Sequence, residues 1–137
     1  MQTLSNAELI AHLRNWSVDC VVRDAARTKR TGEVFTPTAL VQDILNKFSK
    51  EEFADASKTF LDPSCGDGQF LSEVLIRKLE NGIDFATALG CIYGVDIMQD
   101  NVETCKERLL CGLEQYRHIV EKNIVCADAL SYDFTFQ

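Results

Sequence analysis

The fold is decided by the stretch Thr59-Phe60-Leu61-Asp62-Pro63-Ser64-Cys65-Gly66-Asp67-Gly68 and by the apolar segment that follows it. Residues 59–62 predict a short strand, and the glycines allow a tight turn because glycine adopts positive φ angles. After the turn, apolar side chains recur with the period of a helix that buries one side; they are Phe70, Leu71, Val74, Leu75 and Leu79. The stretch therefore predicts a strand, a glycine turn and a helix in direct succession.

Strands and helices continue to alternate along the rest of the chain. Residues 91–96 predict a second strand, residues 101–116 a helix, and residues 123–128 a third strand. Alternation of this kind is typical of right-handed βαβ units in a parallel sheet. We therefore expect an α/β fold, a partial Rossmann-like sheet of three parallel strands in the order 3-2-1 with flanking helices.

The segments before and between these units are helical or polar. Ser5 and Glu8 have the spacing of a capping box and predict a helix at the N-terminus. Thr36 can cap a second helix that has Pro37 as its first residue. Residues 50–58 predict a polar linker and residues 84–89 a short helix. We expect an N-terminal helical segment at residues 1–30 and the α/β domain at residues 31–137.

Composition sets the broad class of the protein. With 137 residues, 46% of them hydrophobic and 26% charged, the chain fits one globular domain. It has no apolar run of about 18 residues, and residues 1–14 lack the apolar stretch of a signal peptide. We therefore expect a cytoplasmic protein without a membrane segment. The net charge of −7 argues against binding of a nucleic-acid backbone by this chain alone.

The six cysteines predict reduced thiols, most of them buried, and no metal site. They contain no Cys-x-x-Cys pair, and the two histidines are not at zinc-like spacings from them. The cysteines are Cys20, Cys65, Cys91, Cys105, Cys111 and Cys126.

An aspartate closes each of the three predicted strands: Asp62, Asp96 and Asp128. In open α/β sheets, ligands bind beyond the carboxyl ends of the strands, so the three acids should face one crevice. Asp96 could accept hydrogen bonds from a ribose diol, or it could cap the next helix. Asp128 could accept from the exocyclic amine of an adenine ring, or it could be an acid of a surface turn.

The glycine turn itself could bind a ligand or be purely structural. Gly66 and Gly68 permit close approach of the backbone, and the following helix directs its N-terminus at the same place. A pyrophosphate is one candidate, but the third glycine of the dinucleotide fingerprint is replaced by Leu71, which disfavours a nicotinamide-nucleotide site. Asp62 and Asp67 add negative charge that suits an ammonium or sulfonium group better.

One positive cluster precedes the domain, formed by Arg23, Arg27, Lys29 and Arg30. These side chains could touch phosphate groups, or they could belong to a solvated loop.

Residues 62–71 resemble the first motif of the S-adenosylmethionine-dependent DNA amino-methyltransferases, Asp-Pro-Ala/Ser-Cys-Gly-x-Gly-x-Phe-Leu. Residues 32–37, Gly-Glu-Val-Phe-Thr-Pro, are similar to the motif that precedes it in the γ class and in type I modification subunits. Residues 94–97 and 127–130 match the second and third motifs. The resemblance covers residues 31–130 and implies the N-terminal, cofactor-binding part of a DNA adenine-N6 methyltransferase with a class I methyltransferase fold, from a restriction–modification or phage setting.

The resemblance also implies a role for each residue of the crevice. The methionine part of S-adenosylmethionine would contact Thr36 and the turn, with Phe35 packed beside it; the turn residues are Asp62, Pro63, Ser64, Gly66, Asp67 and Gly68. The ribose hydroxyls would bind Asp96, and the adenine amine would bind Asp128. Ile97 and Ala129 would flank the adenine plane.

The chain departs from the family because it lacks the catalytic Asn/Asp-Pro-Pro-Tyr/Phe motif and a target-recognition domain. Its two prolines, Pro37 and Pro63, are far apart. We therefore expect no catalytic residue in this chain, no methyl transfer by the chain alone, and DNA as a partner only of the full-length enzyme or complex. The alternative is a non-catalytic, truncated module that binds cofactor or a partner subunit. The first strand would be an exposed sheet edge, available for pairing with a second copy or another chain.

Overall fold

The structure is a computed structural model that describes residues 4–16 and 36–136, which form helices around a parallel sheet. The strands are β1 (Phe60–Asp62), β2 (Ile92–Asp96) and β3 (Ile124–Cys126), in the order β1-β2-β3. In register, Phe60 lies opposite Ile92 and Gly94 lies opposite Ile124. The α/β class, the parallel pairing and the strand order are therefore as predicted.

Helices precede the sheet and connect its strands. They are α1 (Asn6–Arg14), α2 (Thr38–Leu45), α3 (Lys50–Ala54), α4 (Gln69–Glu80), α5 (Phe85–Gly90), α6 (Gln99–Leu110), a 3₁₀ turn (Glu114–Tyr116) and α7 (Arg117–Asn123). Helix α4 connects β1 to β2 together with α5, while α6 and α7 connect β2 to β3.

The capping box at the start of α1 is confirmed. Ser5 Oγ accepts a hydrogen bond from Glu8 N at 3.1 Å, and Ser5 N donates to Glu8 Oε1 at 3.1 Å. Leu9 and Leu13 are buried in the same core as the α/β units. The boundary expected between residues 30 and 31 lies outside the described residues.

The predicted start of α2 is wrong by one residue. Pro37 is the N-cap, with φ −60° and ψ 147°, and Thr38 is the first helical residue. Because the proline backbone is extended, Thr36 lies outside the helix, and α2 has no side-chain cap. The polar linker predicted at residues 50–58 contains the short helix α3.

The single helix predicted at residues 101–116 is also wrong. Helix α6 ends at Leu110 because Cys111 and Gly112 adopt left-handed conformations, with φ angles of 56° and 73°. The chain then forms the 3₁₀ turn and α7, which the apolar periodicity did not predict.

The cysteine prediction agrees with the described residues. Cys65, Cys105 and Cys111 are buried free thiols, Cys91 is half-buried and Cys126 is exposed. Cys20 lies outside the described residues. Within residues 4–16 and 36–136, no helix has both the length and the apolar character needed to cross a membrane.

Among the described residues β1 pairs only with β2 and is therefore an edge of the sheet. An apolar groove of about 230 Å³ lies beside it. Its lining includes Ile44 and Phe48 from α2 and the residues that follow it, Leu61 from β1 and Phe70 from α4. Leu61 on β1 is 47% exposed. This edge is the one that the sequence predicted to be bare.

Candidate functional site

The carboxyl ends of β1 and β2 bring Asp62 and Asp96 to one edge of the sheet, as the sequence predicted. The third aspartate is placed differently. Strand β3 ends at Cys126, so Asp128 lies two residues beyond it, and the expectation that it closes the strand is wrong. The segment still returns to the same edge, because Ala127 N donates to the Asp96 carbonyl oxygen at 3.0 Å.

The turn between β1 and α4 requires its glycines. Gly66 has φ 56° and Gly68 has φ 97°, both in the left-handed region. A Cβ atom on Gly68 would lie 2.9 Å from Cys105 Sγ, so the turn also packs too closely on α6 for a side chain. The turn directs the N-terminus of α4, with its partial positive charge, at the carboxyl edge of the sheet.

Asp96 connects this turn to the end of β2. Its Oδ2 accepts a hydrogen bond from Gly66 N at 2.9 Å. Its Oδ1 accepts from Met98 N at 2.8 Å and from Asn101 Nδ2 at 3.3 Å. The side chain is buried, with 9% exposure. Since a carboxylate offers about four acceptor positions, Asp96 keeps capacity for one further donor besides its structural bonds.

Asp62 lies in an environment that disfavours its negative charge. Burial raises the pKa of Asp62, and the neighbouring Asp96 carboxylate raises it further, while a hydrogen bond from Ser64 N to Asp62 Oδ1 at 3.0 Å lowers it. A cation bound near these two carboxylates would remove the electrostatic cost. The edge is therefore suited to a ligand that carries positive charge.

Asp67 is not an exposed acid of the turn. Its side chain is fully buried, and Arg108 Nη1 on α6 lies 3.3 Å from Asp67 Oδ2. The negative charge that the sequence assigned to the turn is therefore supplied by Asp62 and Asp96, and Asp67 faces a cation inside the fold. Sequence reasoning missed Arg108, which lies beside the apolar positions of α6.

The third motif forms a turn near the site. Asp128 is exposed, and its Oδ1 accepts from Leu130 N at 3.0 Å. Ile97, which follows β2, is 64% exposed, and Ala129 is half-buried. Apolar surface and an acceptor therefore occur together at this end of the crevice.

The predicted pair Phe35 and Thr36 lies partly outside the described residues, and the predicted positive cluster lies wholly outside them. Phe35 and the positive cluster of Arg23, Arg27, Lys29 and Arg30 are outside them. Thr36 is described, half-buried, immediately before α2.

Comparison with known proteins identifies similar sequences. A family model described as N-6 DNA Methylase matches residues 20–135. The chain is 32% identical over 112 residues to the Type II methyltransferase M.VspI of Vibrio sp. (strain 343). That match covers 79% of this chain and 23% of the relative, so the chain spans less than a quarter of the length of the curated relative it matches. No solved structure matches the chain at the same level of significance.

Proposed function

The chain belongs to the N-6 DNA methylase family, and we propose that it is the S-adenosylmethionine-binding portion of a DNA adenine-N6 methyltransferase. Members of the family use S-adenosylmethionine as the methyl donor. The order of the motifs at residues 32–37 and 62–71 supports a γ-class or type I-like enzyme within that family.

One observation carries the proposal: Asp96 accepts from Gly66 N and, through its carbonyl oxygen, from Ala127 N. These two bonds bring the first, second and third motifs to one sheet edge. That edge offers carboxylates, the N-terminus of α4 and apolar surface, which the fold brings together from residues far apart in the sequence. A ligand that carries a cation, a diol and an aromatic ring matches this set of groups.

Each part of the cofactor has a proposed partner. Thr36 and the backbone of Pro63, Ser64, Gly66 and Gly68 hold the methionine part, and Asp62 favours the positive charge. The remaining acceptor position of Asp96 binds a ribose hydroxyl. Asp128 accepts from the adenine amine, and Ile97 and Ala129 flank the ring. When bound, S-adenosylmethionine supplies an electrophilic methyl group for an exocyclic amine.

This chain contributes the positioning of the cofactor and not the recognition of the base. Enzymes that act on a base hold it in a pocket outside the stack, and their polar groups orient its reacting amine. The 137 residues contain no Pro-Pro sequence of the kind that does this in the family. We propose that the chain alone does not methylate DNA, and radiolabelled methyl transfer to DNA by the purified chain would contradict this.

A second candidate function is a non-catalytic module that binds the cofactor or a partner subunit. The observation that favours it is the edge of β1, which has no second strand partner in the described part of the chain and lies beside the apolar groove. Such an edge can accept an added strand. Methyl transfer that is restored when a polypeptide carrying the Pro-Pro motif is added would favour the enzyme portion. Stable association without transfer would favour the module.

The experiment that tests the first proposal is a calorimetric titration of the chain with S-adenosylmethionine. We expect saturable binding at one site, and a ligand at about 100 times its Kd should stabilise the fold by about 2.7 kcal/mol. Asp128→Ala should weaken binding. The matched control is Asp133→Ala, because Asp133 is also exposed and its Oδ1 also accepts a backbone N–H, from Thr135 at 3.2 Å. Equal affinities of the two variants would contradict the role of Asp128.

A further inference from the structure

Arg108 is buried directly beneath the glycine turn. It lies on α6 and is 7% exposed. Its Nη1 is 3.3 Å from Asp67 Oδ2, and its Nη2 donates to Gln69 Oε1 at 3.0 Å. One guanidinium therefore contacts the residues on both sides of Gly68.

The stem of Arg108 also packs under Gly68. A Cβ atom on Gly68 would lie 3.8 Å from Arg108 Cδ and 2.9 Å from Cys105 Sγ. Helix α6 thus supports the turn from below with the arginine stem and the thiol, while the head of Arg108 fixes its two flanks.

Stability alone does not explain why the charged side chain of Arg108 is buried here. Burial lowers the pKa of Arg108, and the charge of Asp67 opposes that shift. A buried ion pair often stabilises a fold no better than well-packed apolar side chains of the same volume. A guanidinium fork does provide fixed geometry, because its donors are planar and rigid.

We propose that Arg108 is a positioning residue that holds the backbone of residues 66–69 in the conformation that binds S-adenosylmethionine. It acts through Asp67 and Gln69 and has almost no exposed surface with which to touch the ligand itself. The inference rests on the proposed function of the site, and it adds a determinant of affinity that lies outside the sequence motifs.

The test compares Arg108→Met and Arg108→Lys with Lys106→Met. Lys106 is a matched control, since it lies on the same helix, is also 7% exposed, and pairs with Glu121 at 2.9 Å, away from the turn. Each variant is measured for S-adenosylmethionine affinity by calorimetry, for amide hydrogen exchange at residues 66–72, and for thermal stability.

We expect Arg108→Met to weaken binding between about 10-fold and 100-fold, as misplaced binding groups do, and to speed exchange of the turn amides. Arg108→Lys keeps the positive charge but lacks the planar guanidinium, so its affinity for S-adenosylmethionine should lie between those of wild type and Arg108→Met. Lys106→Met should keep its affinity within about twofold, because Lys106 pairs with Glu121 and not with the turn.

Wild-type affinity in a folded Arg108→Met variant would overturn the inference, as would an equal loss of affinity in Lys106→Met. If Arg108→Met does not fold, Arg108→Lys decides by the same criteria. If the wild-type chain binds no S-adenosylmethionine, the proposed function fails, and hydrogen exchange then decides the positioning role separately. Unchanged exchange at residues 66–72 in the arginine variants would overturn that role too.

Discussion

Asp96 has a structural role that does not depend on a ligand. Its carboxylate accepts from Gly66 N, Met98 N and Asn101 Nδ2, so it joins the turn, the end of β2 and the start of α6. Sequence reasoning offered a ribose ligand and a helix cap as alternatives for this residue. The structure shows hydrogen bonds to the backbone beside α6 and also to the glycine turn, and the ribose contact stays a prediction.

We predict that Asp96→Asn destabilises the fold by about 1–3 kcal/mol, because an amide has a single oxygen acceptor and leaves buried donors unsatisfied. Urea unfolding measures the loss. Asp133→Asn is the control, and it should change stability by less than about 0.5 kcal/mol because Asp133 is exposed. Equal stabilities of the two variants would contradict the structural role of Asp96.

The pH dependence of stability should reveal the unfavourable charge of Asp62. Its pKa in the folded state is raised above the ordinary value of 3.8, chiefly by burial, so the native state binds this proton more tightly than the unfolded chain does. The Asp62 carboxyl therefore does not lower the free energy of unfolding below pH 3.8. It lowers that free energy progressively as the pH rises from 3.8 through the folded-state pKa. Asp62→Asn, which still offers an oxygen to Ser64 N, should be more stable than wild type at pH 7.

The measurement for Asp62 is unfolding of wild type and Asp62→Asn across a pH series. The stability difference should vanish toward acid pH, where the wild-type carboxyl is protonated. A difference that is constant across the series, or that favours wild type at pH 7, would contradict the assigned environment.

Among the elements, glycines are required for two different reasons: a positive φ angle, and a close contact that leaves no room for a side chain. Gly68 combines positive φ with a close contact to Cys105. At Gly94 on β2, a Cβ atom would lie 2.7 Å from Leu71 Cδ1. Gly82 has φ 83° with open space around it, and Gly90 has open space and no positive φ.

We predict a graded series of alanine variants. Gly82→Ala should cost about 1–2 kcal/mol from backbone strain, and Gly94→Ala about 1–3 kcal/mol from overpacking. Gly68→Ala should cost more than Gly82→Ala, since strain and contact add. Gly90→Ala should be neutral or stabilising by up to about 1 kcal/mol. Thermal and urea unfolding rank the four variants, and a Gly68→Ala variant as stable as Gly90→Ala would contradict the described turn.

The elements differ in how far the sequence could predict them. The capping box at Ser5 and the turn between Asp62 and Gly68 were predictable because local residue types dictate them. The end of α6 was not, because a single glycine is tolerated inside many helices and Cys111 carries no turn signal. Cys111 is buried and adopts a left-handed conformation that its residue type does not indicate.

Buried charges were also beyond sequence reasoning. Lys78 is fully buried on α4, and its Nζ donates to the carbonyl oxygens of Lys58 at 2.9 Å and Asp55 at 3.4 Å. Arg108 likewise finds its partners in a turn about 40 residues earlier in the chain. Periodicity places charged residues on the solvated side, and only the tertiary arrangement reveals acceptors inside. The sequence predicted that Asp62, Gly66 and Asp96 lie at the carboxyl edge of the sheet. It did not predict that Arg108 contacts the turn from below.

For the whole molecule, the open edge of β1 predicts association. The backbone of β1 pairs only with β2 among the described residues, and the groove beside it exposes apolar side chains. We expect the isolated chain to self-associate as its concentration rises, and Leu61→Lys to weaken this by at least about tenfold because lysine on an edge blocks pairing. Leu130→Lys is the control, since Leu130 is 96% exposed and follows β3 at the other side of the sheet.

Sedimentation measures this prediction over a range of concentrations. A chain that stays monomeric throughout, or a Leu130→Lys variant that loses association as Leu61→Lys does, would contradict a role for the β1 edge.

We propose that the carboxyl edge of this sheet binds S-adenosylmethionine. The most direct test is an NMR titration of the isotope-labelled chain that maps shift changes onto backbone amides. We expect saturable changes at residues 64–70, 96–98 and 127–130, with α1 and α5 unaffected. Changes confined to other surfaces, or a folded spectrum that does not respond to S-adenosylmethionine, would contradict it.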